Sequence, residues 1–352
     1  MISELQNLQA SMGAIFGTLN TGESVPMSFG NQAEAITATK QGVAIYDRSY
    51  WGLLKISGAD RLRFLHNQST NSIQSFKPGE VCDTVFVTST ARTLDLATAL
   101  ITEDAILVLV SPNRRQQLME WLDRYIFPMD QVELQDITHD YAVFSLLGQE
   151  SPQVLNKFGI MDLQQKSYGS HQCFEIAGYS LRIAVGSGLD TPGYTLILPT
   201  SIATSVWQVL TQAGAIPLGE TVWQHLRVLA GRPAPDTELT EDYNPLEAGL
   251  WQTLSFDKGC YIGQETITRL NTYKGVKQKL WGIRLKASVS AGTPILIDDV
   301  KVGKLTSYTN SDGKHFGLGY IRTKAGGVGS TVKVGEVEGE VVDVPFLTYQ
   351  KL

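Results

Sequence analysis

The spacing of apolar residues divides this chain into stretches with a helical period and short stretches that read as strands. Ile2, Leu5, Leu8, Met12, Ile15 and Leu19 step by three or four, which predicts an opening helix over 2–19 that stops at Gly22. A second helix is expected over 31–41. Positions 43–45 and 53–56 read as short strands, and Gly58-Ala59-Asp60 as a turn into a helix capped by Asp60. Three β-rich segments, 85–87, 93–100 and 106–110, follow one another so closely that an antiparallel meander is the economical connection. A helix over 113–125 puts Leu118, Trp121, Leu122 and Tyr125 on one face and ends before Pro128.

Strands are expected again at 132–137 and 141–147, then a helix over 149–158. A hairpin over 174–185 turns at Gly178, and a strand at 194–198 leads to a helix over 201–213. The strand, helix and hairpin order thus occurs twice, which suggests two related α+β lobes and argues against a parallel doubly wound sheet. After Gly275 the texture changes to short strands at 280–285, 294–297, 302–308, 316–321, 332–334 and 341–344, separated by Gly, Asp and Ser turns. That is the pattern of a small all-β barrel. The expected fold class is α+β in three sequential domains: an N-terminal lobe over 1–128, a second lobe over 129–275 and a C-terminal barrel over 276–352.

Composition narrows the function classes. The 352 residues exceed a typical single domain, and 43% apolar with 18% charged residues describes a chain with real cores. A formal net charge of −6 argues against a general binder of nucleic acid or anionic membrane. Cys82, Cys173 and Cys260 are far apart and form no CxxC, so neither a disulfide framework nor a self-contained metal or iron–sulfur site is indicated. No metal is expected, and a reducing compartment fits best. Met1-Ile2-Ser3-Glu4 begins no basic, apolar leader, and the longest apolar run, 105–110, is too short to cross a bilayer. The expectation is a soluble protein without nucleic-acid or membrane partners, in a bacterial-type cytoplasm or, as an imported mature form, in an organelle interior.

Several familiar motifs are absent. Gly186-Ser187-Gly188 is the nearest approach to GxGxxG but carries Thr191 where the third glycine belongs, and no GxxxxGK[ST], HExxH or GxSxG occurs. The densest chemistry lies in Asp257-Lys258-Gly259-Cys260-Tyr261-Ile262-Gly263-Gln264-Glu265. Two glycines four apart permit turns or close ligand approach, Gln264 and Glu265 supply directional hydrogen bonds, and Lys258 can favour a thiolate at Cys260. The segment alone reads first as a tight turn carrying a buried structural cysteine, and as a ligand loop if its context supports one. Upstream, Trp223, Leu226, Leu229 and Ala230 make an amphipathic helix on which Arg227 reads as a surface or ion-paired arginine.

Taken in order, residues 226–233, Asp236, Glu238, residues 244–250 and the complete KGCYxGQE signature at 258–265 resemble the YgfZ family of folate-binding proteins. That family is related to the glycine-cleavage aminomethyltransferase, or T-protein. The resemblance spans essentially the whole chain, with 56–65 like the superfamily's opening segment and 280 onward like its C-terminal barrel. It implies an aminomethyltransferase-like core of two lobes plus the barrel in a cloverleaf, with a central channel for tetrahydrofolate or a one-carbon derivative. For YgfZ-type members it also implies a role in making or repairing iron–sulfur proteins, with assembly proteins or client enzymes as partners. On this resemblance Cys260 and Asp95 are candidate catalytic residues, and Arg227, Lys258, Gly259, Tyr261, Gly263, Gln264 and Glu265 candidate folate contacts.

A reduced pterin suits such a set, since it offers ring N–H groups to a carboxylate, a flat face for apolar packing and a glutamate tail for cations. The match to the T-protein is incomplete. Asp95, in Arg92-Thr93-Leu94-Asp95-Leu96, lies where the T-protein carries an Asp-Asp pair, and read alone it is an exposed strand residue. Arg227 matches the arginine of the LRLEAG stretch. Asp190-Thr191-Pro192-Gly193-Tyr194-Thr195 replaces an acidic YTGEDGFE-like loop, with Tyr194-Thr195 at its last acidic position. Asp190 could substitute, or simply form a turn. The thinned acidic set implies less than full glycine-cleavage activity.

Arg269, Lys274, Lys277, Lys279, Arg284 and Lys286 form an acid-free basic stretch, read as a solvated interdomain linker, or as a cradle for a polyglutamyl tail or a dock for an acidic partner. Three functions stay in view: a folate-binding accessory factor for iron–sulfur maturation, an aminomethyltransferase-like one-carbon transferase, and a non-catalytic protein whose basic stretch and barrel make protein contacts.

Overall fold

The computed structural model describes residues 3–349, the side chain of Gln164 apart, so Ile2 of the expected opening helix lies outside the described residues. The first elements are α1 (Glu4–Ser11), β1 (Ile15–Thr18), β2 (Ser24–Ser28), α2 (Gln32–Gln41), β3 (Ala44–Asp47), β4 (Gly52–Ser57) and α3 (Arg61–Gln68). Next come β5 (Val81–Val87), β6 (Thr93–Ile101), β7 (Ala105–Val110), α4 (Arg115–Asp123), β8 (Glu133–Asp136), β9 (Tyr141–Leu147) and α5 (Ser151–Asn156). The hairpin β10 (His171–Ile176) and β11 (Tyr179–Val185) precedes β12 (Gly193–Pro199), α6 (Ala203–Gln212), β13 (Ile216–Leu218), α7 (Glu220–Ala230) and α8 (Gln264–Thr272). The last strands are β14 (Gln278–Leu285), β15 (Pro294–Ile297), β16 (Val300–Ser311), β17 (Lys314–Arg322), β18 (Thr331–Val334) and β19 (Val337–Val342).

The opening helix is shorter than its periodicity predicts. A capping box between Ser3 and Gln6 starts α1. Gly13, at φ +94°, takes the left-handed conformation that ends it, with Ala14 N–H returned to the Gln9 carbonyl. Ile15 then begins β1, which pairs antiparallel with β2. The three-and-four spacing continues past Gly13 only by coincidence, and Ile15 is 63% exposed where an amphipathic helix would have buried it.

The chain divides into two compact units built from separated segments. The first comprises 1–61, 75–82 and 98–223, and the second 62–74, 83–97 and 224–352. The positions expected as boundaries, 128 and 275, fall inside the first and second unit respectively. The first unit holds the six-stranded sheet β10-β11-β12-β9-β3-β13, antiparallel except where β13 joins β3. Its core gathers Leu5 of α1, Phe144 and Leu146 of β9, Leu196 of β12 and Trp207 of α6. The Trp207 ring meets Phe144 edge-on at 5.2 Å, a favoured aromatic geometry. A five-stranded sheet runs β5-β6-β7-β4-β8, and residues 83–97 of its first two strands belong to the second unit. The expected meander is thus present.

In the second unit β14-β17-β16-β15-β18-β19 close into a barrel, β14 pairing with both β17 and β19. Ile283, Ile295, Leu305, Ile321 and Val341 fill it. A neighbouring cluster joins Leu280, Leu318 and Tyr320 of the barrel to Val85, Leu96, Val228 and Leu250. The fold class is α+β with a closed six-stranded C-terminal barrel.

Candidate functional site

The segment from Asp257 to Glu265 lies in the second unit, laid against the C-terminal end of α3. A helix end leaves carbonyls without intrahelical donors and carries partial negative charge. Lys258 supplies what that end lacks: its buried Nζ donates to the carbonyls of His66, Ser69 and Asn71 at 2.5, 2.7 and 2.7 Å. Two backbone bonds flank it, Ser255 N–H to the Thr70 carbonyl and Ile262 N–H to that of Asn67. Thr70 extends the lattice, its hydroxyl accepting from Val85 N and donating to the Thr253 carbonyl. Lys258 therefore spends its hydrogen-bond donors on the scaffold. Burial and then the Lys258 ammonium push His66 down to about 4.

Tyr261 is buried with Ala91, Leu246, Leu254 and Ile267, and Lys258 Nζ lies 4.6 Å from its ring centroid. Burial raises its phenol to about 12. Gly263, at φ +82°, precedes α8, and a Cβ there would stand 2.9 Å from the Thr88 carbonyl. Only glycine fits that backbone. Gly259 is the reverse case, since a Cβ there would meet nothing within 4 Å. Cys260 is exposed, contrary to the reading of a buried structural cysteine. Glu265 is exposed and Gln264 half-buried. The segment thus presents a thiol, an open glycine, an amide and a carboxylate on a firmly held backbone.

Arg227 and Asp95 sit elsewhere in the same unit. Arg227 donates from Nη1 to Glu238 Oε2 at 2.8 Å, from Nη2 to Ser307 Oγ and from Nε to Gln224 Oε1, each at 2.9 Å. Burial works to raise the Glu238 carboxyl, and Arg227 with the hydroxyls of Ser307, Thr306 and Thr237 outweighs it, holding the group below its usual range. Arg227 is the ion-paired arginine of the plainer reading, buried rather than at the surface. Asp95 is fully buried in β6, with Oδ1 accepting from Leu96 N at 2.9 Å, which corrects the reading of an exposed strand residue. Tyr243 stacks on Tyr320 with ring centroids 3.5 Å apart.

In the first unit, Tyr194 is a core residue and Asp190 is exposed in the loop before β12. The same unit holds a cluster that sequence reading did not single out. Tyr46 and Tyr50 both donate to one oxygen of Glu220, and the Arg48 guanidinium lies 4.0 Å from the Trp51 ring and 5.1 Å from that of Trp223. Glu220 is some 170 positions from its tyrosines, so no local pattern joins them. Five of the six basic residues fall on α8, β14 and the turn between, and Lys286 directly follows β14, all within the second unit, so that stretch is no linker between units. Arg284 pairs with Glu340 at 3.6 Å and Lys286 with Glu338. Among the described residues no group of His, Cys, Asp and Glu is arranged to hold a metal ion, and no helix is long and apolar enough to cross a membrane.

Residues 5–258 match the model of the GCVT N-terminal domain, ending just short of Gly259 and Cys260. The Arabidopsis thaliana protein named "Putative transferase At1g60990, chloroplastic" is 47% identical over 332 residues, 93% of this chain and 77% of that protein. The aminomethyltransferase of Halothermothrix orenii is 26% identical over 93% of this chain and 94% of its own length. Among solved structures, the glycine cleavage system aminomethyltransferase T from Bartonella henselae superposes with a TM-score of 0.86 at 18% identity, covering 98% of both chains.

Proposed function

The chain belongs to the GCVT N-terminal domain family, and from that premise we propose that it is a tetrahydrofolate-binding accessory protein of YgfZ type, serving the maturation or repair of iron–sulfur proteins. The observation that carries this reading is the exposed Cys260 on a backbone pinned by Lys258. A thiol held out to solvent by buried neighbours is placed to react with a partner, whereas a packing cysteine would be enclosed. Aminomethyltransferases among the relatives supply the folate half of the proposal.

The solvent-facing members of the segment fit one edge of a reduced pterin. Glu265 can receive a ring N–H together with the exocyclic amino group, Gln264 can add a hydrogen bond, and Gly259 lets a flat ring approach the backbone. Tetrahydrofolate, when bound, supplies the nitrogens that carry a one-carbon unit. We assign Lys258, Tyr261 and Gly263 to holding the segment, and Arg227 to the packing of α7 on the barrel. The chloroplastic name of the Arabidopsis relative agrees with an organelle interior and leaves a cytoplasmic setting standing.

A second reading, a one-carbon transferase, is favoured by the names of the same relatives. Calorimetric titration with tetrahydrofolate, paired with the activity of an iron–sulfur enzyme in cells lacking this protein, separates the two. The first reading expects saturable binding, weakened about tenfold by Glu265→Gln, and a Cys260→Ser variant that binds folate yet fails to restore the cellular enzyme. Absence of any folate binding sinks both. Turnover with a lipoylated carrier that survives Cys260→Ala and disappears in Asp95→Asn would establish the second.

A further inference from the structure

The first unit contains a cavity of about 500 Å³ that the folate reading does not use. It is lined by residues of α1, of β2 and the turn before it, of β3 and of β9, among them Leu5, Gln9, Glu23, Val25, Asp47 and Ala142. Gln9 is completely buried. Its Nε2 donates to Asp47 Oδ2 at 2.9 Å, which fixes the amide orientation and leaves Oε1 without a hydrogen-bond partner among the described residues. Glu23 is half-buried, and its Oε2 is enclosed without a hydrogen-bond partner among the described residues. Asp47 also accepts from Ser49 N at 2.9 Å. Hydrogen-bond acceptors outnumber donors at this wall, and two are carboxylates.

Leaving a buried acceptor unmatched is costly, and an enclosed carboxylate without a counter-charge more so. The complement is a compact headgroup with several N–H donors and a positive charge. We propose that this cavity binds a small primary ammonium ligand with a short aliphatic body, its headgroup taken by Gln9 Oε1, Glu23 and Asp47. Leu5, Val25 and Ala142 provide the apolar wall for the aliphatic part, and the volume is ample for a ligand of that size. Arg115, the guanidinium of the same lining, is engaged by Asp136 at 3.4 Å. Burial raises the Asp47 carboxyl, and the hydrogen bonds from Ser49 and Gln9 only partly oppose it.

The test is a titration of the full-length protein with n-butylammonium, followed by heteronuclear NMR, with n-butanol and butyrate as neutral and charge-reversed controls. The expected result is saturable shifts at the Gln9 side-chain amide and at Val25 and Ala142. Butylammonium should bind at least about tenfold tighter than butanol, butyrate should give no saturable shift, and Glu23→Gln should weaken the amine about tenfold. Asp47→Asn is the companion variant; if it fails to fold, Glu23→Gln on the peripheral hairpin decides alone, its folding checked by its thermal midpoint. No saturable response to butylammonium, equal binding of butanol, or wild-type affinity in Glu23→Gln would overturn the proposal.

Discussion

At the scale of single residues, the two cations most prominent in the sequence both turn inward. Lys258 and Arg227 resemble ligand-binding groups because ligand sites and buried structural sites use the same chemistry, a cation facing an acceptor. Which acceptor it meets depends on chain segments distant in sequence: Lys258 meets the end of α3, 187 to 192 positions away. Removing such a group exposes its cost. Lys258→Met should lower stability by about 3 kcal/mol, because three carbonyls lose a charged donor where water is excluded. A urea midpoint equal to wild type would disprove that. His66 and His171 supply a second prediction. Burial, joined by Lys258 and Arg182 respectively, holds each at about 4, below the unfolded value of about 6.5. The native state therefore favours neutral imidazoles, and stability should hold above pH 6.5 and fall as pH drops from there toward 4. Urea unfolding across that range, with His66→Gln flattening the slope, checks the sign.

Elements show why glycines in one motif differ. Gly263 takes a left-handed conformation just before α8, with the Thr88 carbonyl where a Cβ would need room, whereas Gly259 faces open space. Gly263→Ala should cost about 2 kcal/mol, and Gly259→Ala should stay within about 0.5 kcal/mol of wild type. Comparing their chemical-denaturation midpoints tests the contrast, and Gly259→Ala then becomes the variant for probing folate affinity without disturbing the fold. The strands of the meander and barrel were readable because each is a short apolar run between turn residues. The hairpin at Ala177-Gly178 was readable for the same reason, both residues taking positive φ as a tight two-residue turn requires. The β1 strand was missed because four residues, Ile15–Thr18, carry too few positions to tell a period of two from one of 3.6.

For the whole molecule, the consequence of discontinuous units is that neither is a contiguous piece of chain. A fragment over 1–223 keeps 62–74 and 83–97 but loses the Val228, Leu250, Leu280 and Leu318 side chains that share a core with Val85, Val87 and Leu96. Such a fragment should be poorly soluble or partly unfolded. A monodisperse 1–223 fragment with a cooperative melt, by size exclusion and circular dichroism, would contradict this. The isolated barrel over 276–352 carries the other side of that core and is expected to self-associate. Sequential domains are the natural reading of a linear pattern, because composition changes at 275 are visible along the chain while the exchange of segments between units is not.

Neighbours in the chain set everything that was legible before folding: the α+β class, most strands and helices, the barrel, and the KGCYIGQE segment as the place where thiol, amide and carboxylate gather. Periodicity, turn residues and a contiguous motif are local, and local patterns survive being read in one dimension. Long-range packing is what leaves Cys260 and Glu265 facing solvent while Lys258, Tyr261 and Arg227 do not, encloses Asp95, and brings Gln9, Glu23 and Asp47 to one cavity. Exposure and pairing depend on which distant segment arrives to cover a side chain, and burial changes the energy of a charge far more than any neighbour in sequence can.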